Sequence, residues 1–207
     1  MLTLITNRHI CGEDNFKDVV TRAISAGVDQ IILREKDLDD KVYGHYAAYF
    51  KTQLKESQKL IIHSRISLAE RVKADGVHFT FQDFMAVDEE TIAALKSGES
   101  SLVIGVSVHS LEEALASANK GASYLLASHV FETDCKAGLP GRGLSFIHRI
   151  SSKVHVPVIG LGGISPENTL SVIDAGASGV AVMSAIMGAN DVEASLKSFT
   201  IQLNRLT

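Results

Sequence analysis

The feature that most constrains this chain is a device repeated along it. A helix-like stretch ends on or near glycine, and an apolar run follows within a few residues. The segments "SAGVDQIIL", "KADGVHF", "NKGASYLL" and "DAGASGVAV" all have this form. Glycine supplies the left-handed C-cap that stops a helix. The apolar runs "LTLIT" (2–6), "QIILR" (30–34), "LIIHS" (60–64), "GVHFT" (76–80), "LVIGVSVH" (102–109), "SYLLASHV" (123–130), "VPVIGLG" (156–162) and "GVAVMSA" (179–185) make eight candidate strands. Most are almost continuously apolar, as strands buried on both faces of a parallel sheet must be. Helical patterns lie between them, such as "LEEALASANK" (111–120) and "SPENTLSVIDAG" (165–176), the second with Ser165 as N-cap and Pro166 in the first turn. Eight βα units in 207 residues come to about 26 residues each, which predicts an α/β chain folded as one (β/α)8 TIM barrel domain over residues 1–207. An open doubly wound sheet is the rival, but no G-x-G-x-x-G follows the first strand.

Composition narrows the partners. The net charge is −4, with no basic excess for nucleic acid or an acidic membrane surface. The two cysteines, Cys11 and Cys135, form no C-x-x-C pair, which suits free thiols in a cytoplasmic protein. The opening "MLTLITNRHICG" lacks the basic start of a signal peptide. No apolar run approaches the roughly 18 residues of a membrane helix.

In such barrels chemistry sits at the C-terminal ends of the strands. The polar residues there are Arg34, Glu35 and Lys36; His63 and Ser64; His78; Ser107 and His109; His129; Gly162 and Gly163; and Ser184. "GLGGI" (160–164) and "VMSAI" (182–186) follow the seventh and eighth strands, where barrels bind phosphate through backbone N–H groups. In "LREK" (33–36), Arg34 can grip a carboxylate or phosphate with both arms of its guanidinium, and Lys36 offers a point charge. Glu35 is either an acid–base group or the partner of one of these cations. His129 closes the sixth strand beside the richest polar loop, "SHVFETDCKAGLPGRG", and can take and return a proton near neutral pH. His63, His78 and His109 are weaker candidates by position; His45, His148 and His155 fall on helices or connections, and His9 stays open. Cys135 has no evident base and reads as a plain loop thiol. Glu132 and Asp134 could hold Mg²⁺, though two acids in a loop are common, and no cluster has zinc spacing.

The landmarks "LREK", "ADGVH", "IGVSVHS", "HVFETDCKAGLPGRG", "GLGGI" and "GVAVMSAI" resemble the thiamine-phosphate synthase superfamily of (β/α)8 barrels over nearly the whole chain. Within it, the opening loop resembles the thiazole tautomerase branch. The synthase pattern has Asn-Asp after the third strand, where this chain has His63 and Ser64; its metal-binding acid after "GVH" matches Gln82, with Asp83 beside it. The loss of both metal carboxylates implies an isomerase without metal or organic cofactor. It would convert a dihydrothiazole phosphate carboxylate to the aromatic thiazole, with His129 carrying the proton and Arg34 holding the carboxylate. By the same pattern Thr133, Asp134, Cys135, Gly163, Met183 and Ser184 would hold the thiazole phosphate, and Lys36 and Lys136 would steer anions. Family barrels imply a possible homodimer. Two alternatives remain: a synthase that joins a pyrimidine pyrophosphate to a thiazole phosphate with Mg²⁺, and a non-catalytic binder of thiazole or thiamine phosphates.

Overall fold

In the computed structural model, which describes residues 1–97, 101–133 and 138–206, eight strands close into a parallel barrel in sequence order, β1-β2-β3-β4-β5-β6-β7-β8. The strands are β1 (Leu2–Ile5), β2 (Gln30–Leu33), β3 (Lys59–His63), β4 (Gly76–Thr80), β5 (Val103–Val108), β6 (Tyr124–Ser128), β7 (Val158–Leu161) and β8 (Gly179–Val182). Around them lie α1 (Arg8–Cys11), α2 (Glu13–Ser25), α3 (Asp40–Gln53), α4 (Ile66–Arg71), α5 (Phe81–Ala86), α6 (Glu89–Ser97), α7 (Leu111–Lys120), α8 (Leu144–Ser151), α9 (Pro166–Asp174), α10 (Ser184–Met187) and α11 (Val192–Leu203). The (β/α)8 expectation holds, and β8 pairs with β1 to leave no sheet edge.

Apolar side chains pointing outward from the strands pack under the helices. Phe16, Tyr43, Phe50, Phe84, Phe146 and Phe199 are all fully buried there. A second, smaller cluster fills the barrel itself, from Ile5, Ile32, Ile61, Tyr124, Leu126, Ile159 and Ala181. The two clusters explain why the strands read as continuous apolar runs, since each residue faces one core or the other. The expected helix 111–120 is α7, capped by the Ser110 side chain, and Ser165 caps α9 in a capping box with Pro166 in the first turn. The glycine device is also present: Gly27, Gly121 and Gly176 all have positive φ. No helix among the described residues is long and apolar enough to cross a membrane.

Several strands end earlier than their apolar runs. β6 stops at Ser128, so His129 lies just past the strand and not within it. β8 stops at Val182, because Met183 turns the chain directly into α10. Both shortenings come where the chain leaves the sheet for the barrel mouth. The apolar residues that continue the runs, Val130 and Ile186, are buried against the helical layer instead.

Candidate active site

The mouth of the barrel holds a pocket of about 420 Å³. Arg34 from the end of β2, His63 from β3, His78 from β4, Ser107 from β5 and His129 after β6 line one side. Thr133, Gly163, Met183 and Ser184 line the other. Beside it lies a cleft of about 270 Å³ bounded by Lys36, His63, Ser64, Arg65 and Asp83, with Glu35 and Tyr43 behind. His63 stands in the wall of both compartments.

The "LREK" segment is held from below. Glu35 is buried, and Thr6 Oγ1 donates to its carboxylate at 2.6 Å. The Arg8 backbone N–H (3.1 Å) and guanidinium (3.3 Å) donate to it as well. The same Arg8 grips Asp37 with both arms at 2.6 Å. Thr6 Oγ1 in turn accepts from the Arg34 N–H at 2.9 Å. Glu35 is thus the partner of a cation, but that cation is Arg8, which the sequence reading did not consider. Neither the Arg34 nor the Lys36 side chain has a carboxylate partner among the described residues, so both charges remain for a ligand. Arg65 braces the loop from the other side, donating to the Leu38 carbonyl and the Asp40 carboxylate at 2.6 Å each while it lies over the Tyr43 ring. Apart from Asp40, which Arg65 engages, and Asp83 across the cleft, this corner of the mouth carries the cations Arg34, Lys36 and Arg65. Burial, then Arg34 and Lys36, pull His63 down to about 4. Burial, then His63 and Arg34, pull His78 down to about 3. Both imidazoles are neutral at physiological pH.

Ser64 has φ +55, a left-handed conformation unfavourable for serine, and its hydroxyl lies 3.4 Å from Asp83 Oδ2. Asp83 opens its side of the cleft in α5, where Thr80 caps the helix. The Asp83 that the sequence sets beside Gln82 thus lies on the cleft, next to Ser64. Among the described residues no group of three or more His, Cys, Asp or Glu is gathered as a metal would need.

His129 is 3% exposed. Its Nε2 faces the carbonyl oxygens of Pro140 (3.1 Å) and Leu139 (3.3 Å), so Nε2 carries the hydrogen. The other ring nitrogen, Nδ1, is buried and has no partner among the described residues. At the β7 turn, Gly163 has φ +63, and a Cβ there would stand 2.4 Å from the Glu132 carbonyl oxygen. The turn after β7 and the loop after β6 can only pack together because this residue lacks a side chain. Asp134, Cys135 and Lys136, expected at the phosphate and as a steering cation, lie outside the described residues. His109 pairs with Glu113 (3.4 Å) outside the pocket, and His9 with Asp37 (3.1 Å). His45 is on α3, His148 on α8, and His155 is exposed in the connection before β7, all away from the mouth.

The family model described as thiamine monophosphate synthase matches residues 2–186. The chain belongs to this family. Among curated relatives, the thiamine-phosphate synthase of Syntrophomonas wolfei is 33% identical over 93% of this chain and 90% of its own length. That of Pyrococcus abyssi is 36% identical over 93% and 89%. Among solved structures, the thiamine phosphate pyrophosphorylase of Pyrococcus furiosus superposes with a TM-score of 0.85 at 31% identity, covering 99% of this chain and 96% of that one. These relatives overturn the isomerase expectation, since proteins this similar over nearly the full chain carry the name of a transferase. Asp83, which the sequence sets beside Gln82, stands on the cleft with the Ser64 hydroxyl 3.4 Å from it.

Proposed function

We propose that this family member is a transferase of the thiamine-phosphate synthase type, joining a pyrimidine pyrophosphate to a thiazole phosphate with release of pyrophosphate. The observation that carries the reading is the pair of compartments that share His63. Each has its own means of holding an anion, and together they give room for two phosphorylated substrates. The names of the relatives support it.

In this reading the cleft takes the pyrophosphate, with Lys36 as point charge and Arg34 at the junction with the mouth pocket. The mouth pocket takes the thiazole phosphate, with Gly163, Met183, Ser184 and Thr133 around the phosphate and Ile5, Ile32 and Leu126 against the ring. The bond between the pyrimidine side and the pyrophosphate breaks, and its electron pair leaves with the pyrophosphate. The thiazole supplies the pair for the new bond. Arg34 and Lys36, which have no carboxylate partner among the described residues, stabilise the charge that builds on the leaving group.

The family implies Mg²⁺ at this step. Mg²⁺ commonly binds through one or two carboxylates, with substrate phosphates and water completing its octahedron. Asp83, oriented by Ser64, meets that requirement and would hold the ion. A bound Mg²⁺ supplies charge neutralisation at the pyrophosphate oxygens. The homodimer implied by the resemblance belongs to the same proposal; light scattering should give twice the chain mass.

The test is product formation from both substrates, followed by chromatography and by release of inorganic pyrophosphate. Turnover is expected with Mg²⁺ and not in chelator. Lys36→Ala and Asp83→Asn are each expected to lower kcat/KM by at least about tenfold, the scale of one lost charge-assisted contact. No thiamine phosphate from wild type at any Mg²⁺ concentration would overturn the reading.

A further inference from the structure

A line of polar side chains crosses the barrel interior beneath the mouth pocket. Gln30 Nε2 donates to the Tyr124 oxygen at 3.4 Å and to Thr3 Oγ1 at 3.5 Å. Tyr124 OH lies 3.0 Å from His78 Nδ1, and His78 Nε2 lies 2.8 Å from Ser107 Oγ. Tyr124 and His78 meet across β5 because the residue between them is Gly105, in register with both. A Cβ at Gly105 would stand 2.1 Å from Tyr124 Cζ and 2.5 Å from His78 Nδ1.

The directions of these hydrogen bonds are not free. Gln30 Nε2 can only donate, so the Tyr124 oxygen accepts from it. Burial drives the Tyr124 phenol far above its ordinary value, so its own hydrogen stays in place and must be given to His78 Nδ1. With Nδ1 accepting and the ring neutral, Nε2 carries the hydrogen and donates it to Ser107 Oγ. Among the described residues the Ser107 hydroxyl has no second partner, and Ser107 lines the mouth pocket.

We propose that Tyr124, with Gln30 behind it, is a positioning residue that selects which nitrogen of His78 carries the hydrogen and thereby turns the Ser107 hydroxyl into a donor aimed at the mouth pocket. The opposite order, with His78 donating toward Tyr124, would make Ser107 donate backward to His78 and leave the pocket facing an acceptor. The relay therefore sets the polarity of one hydrogen-bonding position in the pocket: it recognises an acceptor on the ligand, a ring nitrogen or a phosphate oxygen. This rests on the reading of the mouth pocket as a substrate site.

The test has a spectroscopic arm and a kinetic arm. In protein labelled with ¹⁵N-histidine, the His78 shifts should report Nδ1 bare and Nε2 protonated, and Tyr124→Phe should move His78 toward the other tautomer while keeping the ring that fills the space beside Gly105. An Nδ1-protonated His78 in wild type, or a tautomer unchanged in Tyr124→Phe, overturns the relay. In the coupling assay, Tyr124→Phe should lower kcat about tenfold, the scale of one misdirected hydrogen bond, with KM within about threefold. Because Tyr124 acts through Ser107, Tyr124→Phe combined with Ser107→Ala should cost no more than Ser107→Ala alone. Additive losses, or a Tyr124→Phe enzyme within about twofold of wild type, overturn the positioning role. The tautomer arm needs no turnover, so a wild type without coupling activity counts against the proposed function and leaves the relay to be decided by its own readout.

Discussion

Glu35 is a carboxylate shut away from solvent, and it survives there because three groups donate to it: the Thr6 hydroxyl, the Arg8 N–H and the Arg8 guanidinium. A buried charge without such partners would cost several kcal/mol. Glu35→Gln removes the charge and turns one acceptor oxygen into an N–H that faces other donors. It is expected to destabilise the protein by about 2–4 kcal/mol, as when one partner of a buried ion pair is removed. It should also weaken phosphate binding, because Thr6 anchors the Arg34 backbone through the same carboxylate. Urea unfolding of Glu35→Gln checks the first effect, and a change within about 0.5 kcal/mol would refute it. The candidate residues that the sequence pointed out and that line the two compartments, Arg34, Lys36, His129 and Ser184, lie at or just past the ends of apolar runs, where the strand pattern marks them. Arg8 was not legible. It lies 27 residues from Glu35, and nothing local in "TNRHI" says that its side chain is buried and bound to two acids of another loop.

At the scale of the element, β5 shows what a strand pattern hides. "VIGVSV" reads as an ordinary buried strand, and its glycine as a weakness. In the barrel Gly105 is the gap through which β4 and β6 exchange a hydrogen bond. Gly105→Ala places a methyl group where Tyr124 already stands, and overpacking of this kind costs about 1–3 kcal/mol. Thermal unfolding should show the loss, and shortening the obstructing side chain, in Gly105→Ala with Tyr124→Leu, should recover part of it. A double variant no more stable than the single one would mean that the clash is not the cause. Strand order and the helices between strands followed from local pattern, because each βα unit completes itself within about 26 residues. The inner layer did not, since its contacts join residues 46 and 94 apart in sequence.

Taken as a whole, the molecule keeps two neutral histidines inside a mouth that also holds Arg34, and this couples its stability to pH. Burial and the neighbouring His63 and Arg34 hold His78 at about 3, against an ordinary value near 6.5 in the unfolded chain. Between those values the unfolded chain binds a proton that the folded barrel refuses, so stability rises with pH across that window. The contribution is complete above about pH 6.5, is lost as pH falls below it, and stops falling below about pH 3. Between about pH 7 and pH 4.5 the loss attributable to His78 amounts to at most about 3 kcal/mol, from two pH units at 1.36 kcal/mol each. His63, held at about 4, adds to it in the same direction. The carboxylates beside Arg8 and Arg22, Asp37 and Glu193, are held so far below their ordinary values that they stay ionised through this window. Their own share of the acid lability, lost as the unfolded carboxylates protonate, overlaps it only near its lower end. Unfolding free energies of wild type and His78→Gln at about pH 7 and pH 4.5 separate the contributions. The wild type should lose more stability on acidification than the variant, by an amount approaching that 3 kcal/mol. Equal losses would mean that His78 takes up its proton without unfolding the barrel, and that the polar line from Ser107 to Gln30 opens to water before the fold gives way.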